Sequence, residues 1–81
     1  MKTFHLTVAK IGENLFDGEA ISVALPGSEG RFQVFAEHEA LVSTLASGTI
    51  NIVDAEQQKH QLEIPEGGVA EISHNQATVL L

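Results

Sequence analysis

Alternation of apolar and polar side chains in short runs is the feature that most restricts the fold of this chain. Phe4, Leu6 and Val8 alternate with polar or small residues, a period of two that places three large apolar side chains on one face of a strand. The alternation returns at intervals of roughly eight to twelve residues. No segment shows the period of an amphipathic helix over a useful length. The further runs are Ile21–Leu25, Arg31–Phe35, Ile50–Ile52, Leu62–Ile64, Val69–Ile72 and Ala77–Leu81.

Residues that favour tight turns separate these runs. Asp17-Gly18 contains residues that tolerate positive φ, so we expect a turn there before the second strand. Pro26-Gly27 ends that strand, and Ser47-Gly48 separates the middle of the chain from the strand that follows it.

Two further segments complete the pattern. Residues 37–45 fit either a helical turn or a short buried strand, and we favour a loop followed by a strand. Residues 73–76 have the residue types of a tight turn. Short strands joined by such turns predict an all-β sandwich or closed barrel, with residues 1–81 as a single domain.

Charge and cysteine content exclude several classes of protein. The formal net charge is −7, and such a surface repels a phosphate backbone or an anionic lipid face, so we expect no nucleic-acid or direct membrane binding. Without cysteine there is no disulfide, thiolate nucleophile or cysteine-bound zinc, which suits a cytoplasmic protein. Residues 1–9 lack the unbroken apolar run of a signal peptide, and no stretch approaches the length of a membrane span.

Catalytic and metal-binding patterns are not recognisable. The histidine spacings match no compact ligand motif, and the carboxylates are scattered, so we expect no metal, no cofactor and no catalytic residue. The segment Gly27–Gly30 lacks the lysine of a phosphate loop and suits a rigid surface loop that presents Glu29 and Arg31 outward. Among the histidines, we expect His5 on a solvent face, His74 in a turn and His60 partly buried. The four histidines are His5, His38, His60 and His74.

One long segment resembles a known family. Leu25–Val34 followed by His38–Ser43 is similar to a run of the F-type ATP synthase epsilon subunit (delta in mitochondria), in which a Pro-Gly turn precedes an acidic glycine loop and a His-x-x-Leu segment. Further matching segments extend the resemblance over nearly the whole chain. They are Phe16–Glu19, Leu45–Ile50, Gly67–Ile72 and Thr78–Leu80.

The resemblance implies a fold and a mechanical function. The family's N-terminal domain is a flattened β-sandwich, or pseudo-barrel, of two antiparallel sheets at the foot of the central stalk, between the gamma subunit and the c ring. It is a non-catalytic part of the rotor that couples ion flow to ATP synthesis, on the cytoplasmic side and peripheral to the inner (plasma) membrane. By position, Glu29 and Arg31 would face the c ring, whereas Lys10, His38 and Ser43 would face gamma.

This chain differs from the family's pattern in two respects. Many relatives have an acidic or neutral residue where Arg31 stands, and Gln33 and Ala36-Glu37 replace positions that often hold glycine and Pro-Gly. Family members usually continue into a C-terminal helical hairpin that can inhibit ATP hydrolysis or bind ATP, and we expect neither property here. Two alternatives are a free-standing β-sandwich that binds a ligand or peptide in a concave pocket, and an enzyme.

Overall fold

Eight β-strands and no helix make up the fold, as the alternating sequence predicts. The computed structural model describes residues 1–81. The strands are β1 (Phe4–Lys10), β2 (Glu13–Gly27), β3 (Gly30–Phe35), β4 (Leu41–Thr44), β5 (Gly48–Asp54), β6 (Lys59–Ile64), β7 (Val69–Ser73) and β8 (Gln76–Leu80).

The strands form one hydrogen-bonded path in the order β4-β7-β8-β1-β2-β5-β6, with β3 paired to β2 outside this path. All pairs are antiparallel except β1 and β8, which run parallel. A parallel pair needs a long crossover connection, and here the connection is nearly the whole chain between these two strands. The sandwich therefore departs from a purely antiparallel arrangement at this one seam, where the two ends of the chain meet.

Strand β2 belongs to both halves of the molecule. One half contains β4, β7, β8 and β1, and the other contains β3, β5 and β6. The first part of β2 pairs with β1, and its second part pairs with β3 along the same edge and with β5 along the other edge. A register shift between Ala20 and Ser22 lies where the strand changes partners. Such an irregularity bends a strand and increases its twist, so β2 turns the sheet back on itself.

The prediction of a turn at Asp17-Gly18 is wrong. Asp17 pairs with Thr7 inside the β1–β2 ladder, and its side chain contacts β1 instead of capping a turn. The reversal lies earlier, at residues 11–12, where Gly12 has φ 80° and the flanking residues of β1 and β2 pair. Ile11, an exposed apolar residue, occupies this turn, so the residue types at this position do not clearly mark a turn in the sequence.

A single apolar core lies between the two halves of the bent sheet. Fifteen buried residues form one contiguous cluster, so the half that contains β7, β8 and β1 faces the half that contains β5 and β6. Each fully buried Val, Leu, Ile or Phe contributes about 1.5–3 kcal/mol to folding. The grooves of the molecule are all at its surface, which leaves no internal pocket for the ligand-binding alternative. The core residues are Phe4, Leu6, Val8, Ala20, Val23, Leu25, Val34, Leu45, Ile50, Ile52, Ile64, Ala70, Ile72, Ala77 and Val79.

The β7–β8 turn connects three distant parts of the chain. His74 and Asn75 have φ values of 53° and 58°, which identifies the tight turn that the sequence predicts at this position. The Asn75 side chain donates to the Thr3 carbonyl oxygen (2.9 Å) and accepts from the backbone N–H of Glu37 (2.7 Å). One amide therefore joins the N-terminus, the β3–β4 connection and the β7–β8 hairpin.

Asp54 organises the connection between β5 and β6. Its Oδ1 accepts the backbone N–H groups of Glu56 and Gln58, both at 2.9 Å, and its Oδ2 lies 2.8 Å from His60 Nε2. His60 is partly buried, as expected, and its ring packs edge-on against Phe16 at 5.3 Å between centroids. The hydrogen bond from His60, followed by those from the backbone, lowers the pKa of the Asp54 carboxyl below its ordinary value.

Asn75→Ala is expected to lower the free energy of unfolding by about 1–3 kcal/mol, because it removes two hydrogen bonds and puts alanine, which tolerates positive φ less well than asparagine, at φ 58°. Asn75→Gly removes the same hydrogen bonds but tolerates the backbone angle, so its loss should be smaller. Urea unfolding of both variants measures the difference. Equal stability of the wild type and both variants would show that the hydrogen bonds of the Asn75 side chain do not stabilise the fold.

Asp54→Asn should destabilise the protein in a pH-dependent manner. A lowered carboxyl pKa stabilises the fold above the ordinary pKa of aspartate, and this contribution is lost as the pH falls through the lowered value. The difference between wild type and variant should therefore be present at about pH 6 and shrink toward about pH 2. Thermal unfolding across this range tests it, with Glu56→Gln in the same turn as a control. A difference that does not change with pH would refute the ionic role.

Candidate docking surface

The β2–β3 hairpin ends in a tight turn that exposes Glu29. Gly27 and Gly30 pair on either side of the turn residues 28–29. A Cβ at Gly27 would lie 2.6 Å from the Gly30 carbonyl oxygen and 2.9 Å from the Phe32 ring, and Gly30 has φ 134°. Both positions therefore require glycine. Glu29 takes part in none of the five ion pairs of the structure, so its carboxylate is free for a partner.

Arg31 connects the hairpin to β5. It lies on β3 opposite Pro26, and its Nη1 donates to the Thr49 carbonyl oxygen of β5 at 2.7 Å. Thr49 in turn donates through its hydroxyl to the carboxylate of Glu63 on β6. The guanidinium is exposed and crosses β2, so it connects the hairpin with the far strands of its half.

The hairpin is also fastened to β4. The Ser28 N–H donates to the Thr44 carbonyl oxygen, and the Thr44 hydroxyl donates to Ser28 Oγ, both at 2.9 Å. Together the turn and the strand form a shallow groove of about 350 Å³. The groove is lined by Ser28, Glu29, Leu41, Val42, Ser43 and Thr44. Glu29 and Ser43, which the resemblance assigns to different partners, thus share one groove.

Lys10 and His38 lie apart from this groove and from each other. The Lys10 ammonium is 3.5 Å from the Glu13 carboxylate across the β1–β2 turn, and His38 Nδ1 is 2.7 Å from the Glu39 carbonyl oxygen. The ladders that connect β1 with β4 place Lys10 toward the end at which β4 finishes. His38 precedes β4, toward the opposite end. The three residues assigned to gamma therefore form no contiguous cluster.

The outer face of β4, β7 and β8 carries apolar side chains that the sequence analysis did not single out. Val69 lies opposite Leu80, and Val42 is diagonal to Val69 across the same ladder. Their exposed fractions are 67% for Val42, 39% for Val69 and 57% for Leu80. The alternation of side chains along each strand could have predicted their exposure, since each lies between two neighbours that face inward. We call these three residues the apolar patch.

A separate groove, which is mainly apolar, lies between the N-terminus and the end of β3. It has a volume of about 400 Å³ and includes Phe35, whose exposed fraction is 53%. Lys2, at its margin, forms an ion pair with Glu37 at 2.9 Å. The lining residues are Met1, Lys2, Ile21, Phe35 and Ala36.

These surfaces suit non-covalent contact with a macromolecule. No cluster of His, Asp or Glu side chains has an arrangement that could hold a metal ion. The fold has no helix with the length and hydropathy needed to cross a membrane. A free carboxylate on a rigid turn, beside exposed apolar side chains, provides charge for orientation and apolar area for affinity.

Chains with this fold occur in solved structures, among them two of mitochondrial ATP synthases. One is from the cryo-EM structure of Euglena gracilis mitochondrial ATP synthase (OSCP/F1/c-ring, rotational state 1), with a TM-score of 0.88 and 24% identity, covering 96% of this chain and 49% of that chain. The other is from the Tetrahymena thermophila mitochondrial ATP synthase central stalk and c ring, with a TM-score of 0.76 and 14% identity, covering 98% of this chain and 63% of that chain. At these identities the likeness establishes the fold alone.

Sequence relatives are more similar. The ATP synthase epsilon chain of Bordetella avium is 35% identical over 80 residues, which cover 99% of this chain and 56% of the relative. That of Sulfurimonas denitrificans is 39% identical over 67 residues, covering 83% of this chain and 51% of the relative. The chain thus spans about half the length of these relatives.

The family described as ATP synthase, Delta/Epsilon chain, beta-sandwich domain matches residues 3–81. The match includes every strand of the fold and all five residues that the resemblance assigns to partners. The chain belongs to the beta-sandwich domain family of the ATP synthase delta and epsilon chains.

Proposed function

We propose that this chain is a non-catalytic rotor subunit of an F-type ATP synthase, which contacts the gamma subunit and the c ring at once and couples ion flow to ATP synthesis. Membership of the delta/epsilon family carries the proposal. The proposal includes residues 1–81 as a single domain. It places the chain on the cytoplasmic side, peripheral to the inner (plasma) membrane, and assigns it no catalytic residue and no cofactor.

A part that transmits torque must resist deformation where it is loaded. The β2–β3 hairpin meets this requirement, because hydrogen bonds tie it to β4 through Ser28 and Thr44 and to β5 through Arg31. We assign Glu29 at its tip to the contact with the c ring. Arg31, which we also assign to the side facing the c ring, supports this contact by holding the hairpin in place.

We assign the gamma contact to the half of the sheet that contains β4, β7, β8 and β1. Lys10 and His38 lie toward opposite ends of this half: Leu41, at the start of β4, is level with Leu6, roughly 13 Å along β1 from Lys10, and His38 precedes Leu41. A partner that touches both must cover the intervening face, which carries the apolar patch. Apolar area at the centre with charges at the margin is the usual organisation of a stable protein interface.

A gamma subunit from the same complex is expected to form a stable complex with the purified chain, with a total interface of at least roughly 1,000 Å². Leu80→Asp places a charge in the apolar patch and should weaken binding by at least about tenfold, since it buries an unpaired carboxylate. Gln61→Asp, on exposed β6 in the other half, adds the same charge away from the patch and should bind like the wild type. Titration calorimetry gives the affinities. Failure of the wild type to bind any gamma subunit would reject the proposed function.

Glu29→Lys should reduce ATP-driven ion pumping in membranes that contain the assembled complex, because it reverses the charge at the tip of the hairpin. The fold should be unaffected, with a change in stability within about 0.5 kcal/mol for an exposed turn residue. Glu56→Lys makes the same change of net charge in the β5–β6 connection and serves as the control. Unchanged pumping by the Glu29 variant would remove Glu29 from the ring contact.

A further inference from the structure

A histidine and two carboxylates form a cluster on the outer face of β1 and β2. His5 Nε2 lies 2.7 Å from Asp17 Oδ1, and His5 Nδ1 lies 3.2 Å from Glu19 Oε2. Thr3 donates to the second Glu19 oxygen at 2.8 Å, and Thr7 lies 3.4 Å from Asp17 Oδ1. The three ionisable side chains are each about half exposed, as expected for His5 on a solvent face.

The register of β1 and β2 creates this arrangement. His5 pairs with Glu19, and Thr7 pairs with Asp17. Asp17 and Glu19 are two residues apart in one strand, so both side chains project from the same face. Two like charges are therefore held side by side, with the imidazole ring between them. The strand that replaces the expected turn at Asp17 is what brings the two carboxylates to the ring.

The geometry specifies the protonation state of the ring. A neutral imidazole carries one N–H and one nitrogen lone pair, whereas the imidazolium carries two N–H groups. Both ring nitrogens face carboxylate oxygens at hydrogen-bond distance, so only the imidazolium donates to both. In agreement, the hydrogen bond to Asp17, followed by that to Glu19, raises the pKa of His5 above its ordinary value.

No other charged side chain pairs beside His5 across the adjacent strands. On its other side, β8 contributes Gln76 opposite His5 and Thr78 opposite Thr7, and neither is ionisable. The β7–β8 turn carries His74 next to Asn75, whose carbonyl oxygen accepts the His5 backbone N–H. The remaining cations near these strands are engaged elsewhere, Lys2 with Glu37 and Lys10 with Glu13. Gain or loss of the His5 proton is therefore the charge change that alters the contacts of Asp17 and Glu19.

We infer that His5 is a proton-dependent clamp between β1 and β2: the imidazolium joins Asp17 and Glu19 across the two strands, and loss of its proton releases one carboxylate. The clamp stabilises the fold fully below the ordinary histidine pKa, and this contribution is lost as the pH rises through the raised pKa of the folded state. Deprotonation also makes this face more negative by one unit charge. The inference concerns the isolated chain and does not depend on the proposed function.

Nitrogen-15 NMR of the His5 ring tests the clamp directly, because protonated and unprotonated ring nitrogens have distinct shifts. At about pH 6.5, the ordinary histidine midpoint, the wild type should show both nitrogens protonated in most molecules. The Asp17→Asn/Glu19→Gln double variant should titrate at a lower pH, and Asp17→Asn alone should account for more of the change than Glu19→Gln. The same midpoint in the wild type and the double variant would overturn the inference.

A stability measurement separates the clamp from a passive surface contact. The wild type should have a higher melting temperature than His5→Gln at about pH 6, and this advantage should disappear toward about pH 9. A glutamine can donate one hydrogen bond but cannot carry the charge. An advantage that persists unchanged across this range, or none at any pH, would show that the proton of His5 does not control the contact.

Discussion

The continuous pairing of β2 with three other strands is the constraint on which the rest of the structure depends. Its first part holds β1, and its second part lies between β3 and β5. The strand contributes Ala20, Val23 and Leu25 to the core and ends at the glycine that starts the β2–β3 turn. The exposed hairpin is therefore a direct extension of the buried framework.

This continuity suits the mechanical function that we propose. A load applied at Glu29 passes into the ladder of β2 and β3, through Ser28 and Thr44 into β4, and through Arg31 into β5. The proposed gamma contact lies on the half of the sheet that contains β4, so the same bonds connect the two proposed contact regions. Rigidity between them is the property that coupling requires.

Sequence alternation predicts the strands of this protein well. It fails where contacts between distant residues determine the position of a turn or the pairing of two strands. The turn at residues 73–76 is predictable because Asn75 tolerates positive φ locally. Asp17-Gly18 has similar local chemistry but lies within a strand, because Asp17 meets His5, a partner 12 residues away. The parallel seam between β1 and β8 is equally invisible in local patterns. Within the site, exposure of Glu29 can be predicted because the residue lies in a turn flanked by glycines. The hydrogen bond from Arg31 to Thr49 cannot be predicted, because residue spacing does not show that β5 lies beside the hairpin.

Cross-linking in the assembled complex tests the central claim, that one rigid domain contacts two rotor partners through separate surfaces. The chain contains no cysteine, so the single substitutions Glu29→Cys and Leu80→Cys each introduce one defined attachment point. A short bifunctional reagent is expected to join the Glu29→Cys variant to a c subunit and the Leu80→Cys variant to gamma. Attachment of both variants to the same partner, or of the Glu29→Cys variant to gamma alone, would contradict the account.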